Sequence, residues 1–102
     1  FVSYGSTSRV VLEAMDLLAQ EGIKTGLIRP KTLWPFPVKA FEEIGAATKH
    51  IISVELSQGQ MMVDVKLAVE GKWPVSLINR VGGMLLDPYE VVDRTKKIME
   101  VK

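Results

Sequence analysis

Ile51-Ile-Ser-Val54 runs directly into Glu55-Leu-Ser-Gln-Gly-Gln60 and then into Met61-Met-Val-Asp-Val-Lys-Leu-Ala-Val69, and this passage decides the fold. The first four residues form a short apolar run, as expected of a strand covered on both faces. Apolar residues from Met61 onward recur at helical spacing, so the polar stretch between is where a strand hands over to a helix. In an open α/β sheet the carboxyl ends of strands carry the ligand or partner contacts, and the first amides of the following helix have no intrahelical acceptors. Gly59 permits close backbone approach, while Ser57, Gln58 and Gln60 offer neutral hydrogen bonding beside the Glu55 carboxylate. The junction has no nucleophile–base pair, metal-ligand cluster or phosphate-loop lysine.

Working outward, the strand is expected from His50 to Leu56 and the helix from Gly59 to Glu70. Met61, Met62, Val65, Leu67, Ala68 and Val69 give that helix a broad buried face, and Gly71 closes it. Val75 to Ile78 alternates like another strand, followed by the glycine-rich Asn79-Arg-Val-Gly-Gly-Met84. Asp87-Pro-Tyr-Glu90 has the marks of a helix start, with Asp87 capping, Pro88 in the first helical position and Glu90 three residues on. The helix so opened runs from Tyr89 to about Val101 and buries Val91, Val92, Thr95 and Ile98.

Upstream, Phe1 to Tyr4 is β-rich and is broken by Gly5-Ser-Thr-Ser8. Val10, Val11, Ala14, Met15, Leu17 and Leu18, with Leu12 at the margin, form the apolar stripe of a helix over Arg9–Glu21, which Gly22 stops. Ile23 to Ile28 is a second short strand, ended by Arg29-Pro30. Lys31 to Pro37 is a connector with aromatic anchors, and Val38 to Ala47 is a short amphipathic helix. Four strands thus alternate with four helices, the pattern of a parallel sheet in an α/β domain. Phe1 reads as strand without an initiator Met, so the chain is expected to be a piece of a longer polypeptide.

Composition narrows the function. The chain has 102 residues, enough for a single domain with a modest core. Thirteen basic against twelve acidic residues leave a formal net charge of +1, which supplies no electrostatic footprint for nucleic acid or anionic lipid. The absence of cysteine removes disulfides, thiolate metal sites, cysteine-ligated iron–sulfur clusters and cysteine nucleophiles, and it fits a cytoplasmic location. No apolar run approaches the roughly 20 residues of a membrane-spanning helix.

Each suggestive group also has a plain structural explanation. Gly5-Ser-Thr-Ser8-Arg9 resembles an anion cradle, in which helix amides and the hydroxyls of Ser6 and Ser8 assist Arg9; a helix cap is the stronger reading. Glu55 could serve as an acid or base, yet ordering its loop through backbone amides fits better with no second titratable group nearby. His50 is the sole histidine. It stands at the other end of the strand from Glu55, about 20 Å away for a strand of this length, too far for direct proton exchange. Trp34, Phe36 and Trp73 serve either as interface anchors or as lids on the domain's own core. Met61 and Met62 read as core filling.

Taken together, Tyr4-Gly-Ser-Thr-Ser-Arg9, Gly22-Ile-Lys-Thr-Gly-Leu-Ile-Arg-Pro30, Leu33-Trp-Pro-Phe-Pro37, Glu55-Leu-Ser-Gln-Gly-Gln60 and Arg80-Val-Gly-Gly83 resemble one family. It is the second domain of the α subunit of 2-oxoacid:ferredoxin oxidoreductases, similar to the carboxy-terminal domain of transketolase, and the branched-chain 2-oxoisovalerate enzymes are the nearest in flavour. The family commonly has Asn where this chain has Ser57. The resemblance implies a three-layer α/β/α sandwich with a mostly parallel sheet. In order of sequence its visible strands would lie 2-1-3-4, with an antiparallel edge strand before Phe1. The loops Gly5–Ser8 and Glu55–Gln60 would then flank the topological switch point.

The resemblance also implies a division of labour. The parent enzyme would use thiamine diphosphate, magnesium, iron–sulfur clusters and the cosubstrate CoA, all held elsewhere, and would pass electrons to ferredoxin. This domain would be a catalytically inactive scaffold. Gly5, Ser6, Ser8, Arg9, Glu55, Ser57, Gln58, Gly59 and Gln60 would contact neighbouring domains and subunits. Two rival expectations stand beside it. One is an anion or CoA-phosphate site with Arg9 and Arg80; the other is the carboxy-terminal domain of a different thiamine enzyme, such as a transketolase or a 2-oxoacid dehydrogenase β subunit.

Overall fold

The computed structural model describes residues 1–5, 7–30, 41, 44–45, 48–55, 60–79 and 86–100. Its elements in chain order are β1 (Val2–Ser3), α1 (Thr7–Gln20), β2 (Ile51–Glu55), α2 (Gln60–Val69), β3 (Val75–Asn79) and α3 (Pro88–Glu100). The three strands are parallel and lie in the order β1-β2-β3, so β2 is central. Val2 stands opposite Ser53, and the β2–β3 register runs from Ile51↔Val75 to Glu55↔Asn79.

All five residues of β2 are buried, as a parallel strand covered on both faces requires. Its alternation divides the core. Ile52 and Val54 pack with Val11, Ala14 and Leu18 of α1, Ile78 of β3, and Val91 and Val92 of α3. Ile51 faces the other way, with Val2, Phe41, and Met61, Val65 and Val69 of α2. α1 and α3 therefore cover one face and α2 the other, forming three layers about one sheet.

The expected order 2-1-3-4 is met in its 1-3-4 part, and the segment expected as the second strand lies on the outer edge of β1 but is reduced to a bridge there. The run Ile23–Ile28 contributes only one parallel bridge, Val2↔Ile28, and no strand. Ile28 donates to the Phe1 carbonyl at 2.8 Å and accepts from the Ser3 amide at 3.1 Å, on the edge of β1 away from β2. β1 is two residues long and offers that edge little more to pair with, while Pro30 cannot donate to an extended ladder. The expected helix over Val38–Ala47 lies mostly outside the described residues, as do Trp34, Phe36, Arg80, Gly82 and Gly83.

Helix ends follow local chemistry. Gly22, at φ 81°, ends α1 in the left-handed region. Its amide meets the Ala19 carbonyl and the Ile23 amide that of Leu18, the paired pattern of a Schellman cap. Asp87 caps α3 through a 2.8 Å bond from the Tyr89 amide. α2 departs from expectation twice. Leu67 is 71% exposed instead of buried, and the left-handed turn that Gly71 makes (φ 77°) already begins at Glu70 (φ 52°). Trp73 acts as a lid: its indole donates to the Thr48 carbonyl at 3.0 Å and its ring packs on the α2-side core.

Candidate functional site

The carboxyl ends of β1 and β2 open side by side into α1 and α2. Along β2, Ile51, Ser53 and Glu55 share the face beneath α2, because strand side chains alternate. Glu55, last in the strand, is thereby carried under the start of that helix. Its carboxylate accepts from the Met61 amide at 2.8 Å, the Met62 amide at 2.9 Å and the Ser53 hydroxyl at 2.9 Å. Glu55 is only 6% exposed. The two amides lie in the first turn of α2, where no intrahelical carbonyl is available, and the positive end of the helix dipole favours an anion there. The helix N-terminus, elsewhere a ready anion site, is filled by the chain's own carboxylate.

The β1 exit is built differently. Gly5 adopts φ 69°, and its carbonyl accepts from the Ser8 amide at 3.1 Å to turn the chain into α1. A Cβ at Gly5 would meet nothing within 4 Å, so the backbone angle, not crowding, calls for glycine. The first turn of α1 has no acidic residue. Thr7 and Ser8 are buried beneath the helix and Arg9 is exposed. Among the described residues, neither the Ser8 hydroxyl nor that of Ser3 has a hydrogen-bond partner. Of this loop, only Arg9 extends a charged side chain into solvent.

Of the site residues read from the sequence, Gly5, Ser8, Arg9 and Glu55 are placed, and Gln60 is the first residue of α2. Ser6, Ser57, Gln58 and Gly59 lie outside the described residues. Ser53, which also donates to Glu55, escaped the sequence reading. Its signal was the two-residue spacing, which puts both side chains on one face of the strand. Arg94 escaped it as well: the guanidinium donates to the Asn79 carbonyl at 2.9 Å, at the end of β3, and lies 3.7 Å from Glu90.

His50 stands just before β2, at the other end of the sheet, with Nε2 2.7 Å from the Ser76 hydroxyl. Burial lowers its pKa below the ordinary histidine value. At the start of β1, the Phe1 nitrogen donates to the Gly26 carbonyl at 2.8 Å. Among the described residues, no three of His, Cys, Asp and Glu gather as a metal site would need. No helix among them is long and apolar enough to cross a membrane.

Residues 1–91 match the pyruvate:ferredoxin oxidoreductase core domain II family. The ketoisovalerate oxidoreductase subunit VorB of Methanothermobacter marburgensis is 45% identical over 97 residues, covering 95% of this chain and 27% of its own length. The 2-oxoglutarate synthase subunit KorA of the same organism is 34% identical over 101 residues, covering 99% of this chain and 26% of its own. A solved 2-oxoglutarate:ferredoxin oxidoreductase from Magnetococcus marinus, with 2-oxoglutarate, coenzyme A and succinyl-CoA bound, superposes with a TM-score of 0.81 at 34% identity. That match covers 94% of this chain and 17% of the solved one. The chain thus spans about a quarter of the length of these curated relatives. It belongs to the core domain II family found in the α subunits of 2-oxoacid:ferredoxin oxidoreductases.

Proposed function

We propose that this chain is the scaffold and interface domain of a 2-oxoacid:ferredoxin oxidoreductase α subunit, and that the parent enzyme acts on branched-chain substrates such as 2-oxoisovalerate. The supporting observation is the 45% identity to the ketoisovalerate subunit over nearly the whole chain. The parent reaction would convert a 2-oxoacid and CoA to an acyl-CoA and CO2, with the electrons passed to ferredoxin. Thiamine diphosphate and magnesium would be held by other parts of the assembly. The iron–sulfur clusters would be too, since a chain without cysteine offers them no thiolate.

The domain's own part is positional. Glu55 has its carboxylate turned inward onto α2, which suits a group that fixes its loop and helix and suits an acid or base poorly. Ser57, Gln58, Gly59 and Gln60 would present that loop to neighbouring domains and subunits, with Arg9 doing so from the β1 exit. The test is turnover by the purified parent complex, with 2-oxoisovalerate compared against 2-oxoglutarate, and ferredoxin reduction as the readout. Preference for 2-oxoglutarate would overturn the substrate, and turnover by the 102-residue chain alone would overturn the scaffold role. The double variant Glu55→Ala/Gln60→Ala is expected to loosen assembly of the complex.

A CoA phosphate contact at Arg9 is the second reading. It is favoured by the exposed guanidinium at a helix start without acidic residues, and by the coenzyme A bound to the Magnetococcus marinus relative. Arg9→Ala in the parent complex would then raise the KM for CoA and leave that for the oxoacid unchanged.

A further inference from the structure

The three helices divide their apolar residues differently. On α1 and α3 the outward positions are mostly polar, with Leu12 on α1 and Tyr89 and Met99 near the two ends of α3 as single exposed exceptions. α2, Gln-Met-Met-Val-Asp-Val-Lys-Leu-Ala-Val from Gln60 to Val69, is apolar on both sides. Met61, Val65 and Val69 fill the core at 4%, 0% and 2% exposure, while Val63 and Leu67 on the opposite side are 58% and 71% exposed. Lys66 joins them on that stripe, and its methylene stem lengthens the apolar strip. Single exposed apolar residues are ordinary on a protein surface. A helix with apolar side chains on two opposite sides, in contrast, has a second face to bury, with Asp64 and the Lys66 ammonium as the polar breaks between.

We propose that the outer face of α2, centred on Val63 and Leu67, docks against an apolar surface from the rest of the same parent polypeptide. This deepens the scaffold reading and rests on it. The length of the relatives points to this occupant: a subunit of which such a chain is 27% has roughly three-quarters of its polypeptide from which to supply the cover. The face is also held ready. Two carboxylate bonds from Glu55 fix the start of α2 at Met61 and Met62, one turn or less from Val63, so little ordering is left to be done on docking.

Hydroxyl-radical footprinting of the intact parent complex tests this, with Leu12 of α1 (45% exposed) as the internal reference. In the domain Leu67 is the more exposed of the two; docking should leave it oxidised about ten-fold less than Leu12, as expected of a residue at the centre of an interface. Oxidation equal to or above that of Leu12 overturns the proposal. Protection that appears only as protein concentration rises assigns the face to a second copy and overturns it too. In the full-length subunit, Leu67→Glu should lower the yield of assembled complex several-fold and Leu12→Glu should not; equal effects count against the proposal. A complex that protects Leu67 but turns over no 2-oxoacid would sink the functional reading and leave the surface standing.

Discussion

Replacing Glu55 by alanine would strip three donors of one acceptor at once. The Met61 and Met62 amides sit in the first turn of α2, ahead of any intrahelical acceptor, and the Ser53 hydroxyl is fully buried, so each relies on this carboxylate. Loss of a helix cap costs about 0.5–2 kcal/mol, and loss of a favourable charge at a partly buried helix end adds up to about 2 kcal/mol. Some water will enter the 6% opening and solvate the amides, which makes about 3 kcal/mol the reasonable sum. Glu55→Gln retains one acceptor oxygen but sets an amide NH2 against a backbone N–H, for a loss of about 2 kcal/mol. Ser53→Ala leaves the carboxylate on both amides and should cost about 1 kcal/mol.

Urea unfolding reads this order directly, provided the m value is unchanged across the series. For a chain of this size each kcal/mol moves Tm by about 4–8 °C, so Glu55→Ala should lower Tm by about 12–24 °C. Amide exchange at Met61 and Met62 should accelerate more than exchange at the core of β2. A loss below about 1 kcal/mol for Glu55→Ala, or Glu55→Gln as stable as the parent chain, would refute the claim that this carboxylate holds α2 in place.

Other expectations are smaller. Glu70→Gly should stabilise the chain by about 0.5–1 kcal/mol, because relief of a left-handed non-glycine residue outweighs the added freedom of the unfolded chain; thermal melts check it. Asp87→Ala removes the cap on the Tyr89 amide and should cost about 1 kcal/mol, with Asp87→Asn recovering most of it. The Glu21–Lys96 pair is exposed on both sides, and a double-mutant cycle should give a coupling below about 0.5 kcal/mol. His50 has its folded pKa lowered by burial, so the unfolded chain binds the proton more readily. Its contribution is therefore present above the ordinary histidine value near 6.5 and is lost as pH falls from there through the lowered folded value, and His50→Gln should flatten that part of the stability–pH curve.

Much of the fold was legible because two periodicities rarely conflict. The run Ile51–Val54 announced a strand buried on both faces, and Val11, Ala14 and Leu18 announced the inner side of α1. The final helix could be placed because Asp87-Pro-Tyr-Glu90 carries its cap in the sequence. Ile23–Ile28 misled because β propensity describes a segment, whereas a strand requires a partner long enough to pair with, and β1 is two residues long. Leu67 misled for a related reason. Apolarity marks a residue for burial without saying whether its own domain or another surface does the burying, and only the neighbours packed on α2 separate Val65 from Leu67.

The two strand exits show how one sheet edge can distribute its charges. A carboxylate next to the start of a helix has two competing uses: it can face the cleft and act on a ligand, or face the helix and hold it. The parity of β2 decides for Glu55, since position 55 shares the α2 side with Ser53 and the helix amides lie 2.8–2.9 Å away. A group so engaged would have to forfeit at least the three hydrogen bonds it makes among the described residues to move toward a substrate, a cost of several kcal/mol that suits a general acid or base poorly. Arg9 bears no such internal debt at the neighbouring exit. If this edge recognises a charged group, the selective charge is therefore positive and lies on α1, while α2 contributes backbone shape and an apolar flank. Exchanging the roles, with Arg9→Glu, should weaken any anion contact at the edge without moving the Met61 and Met62 amides, whereas Glu55→Ala should disturb those amides first.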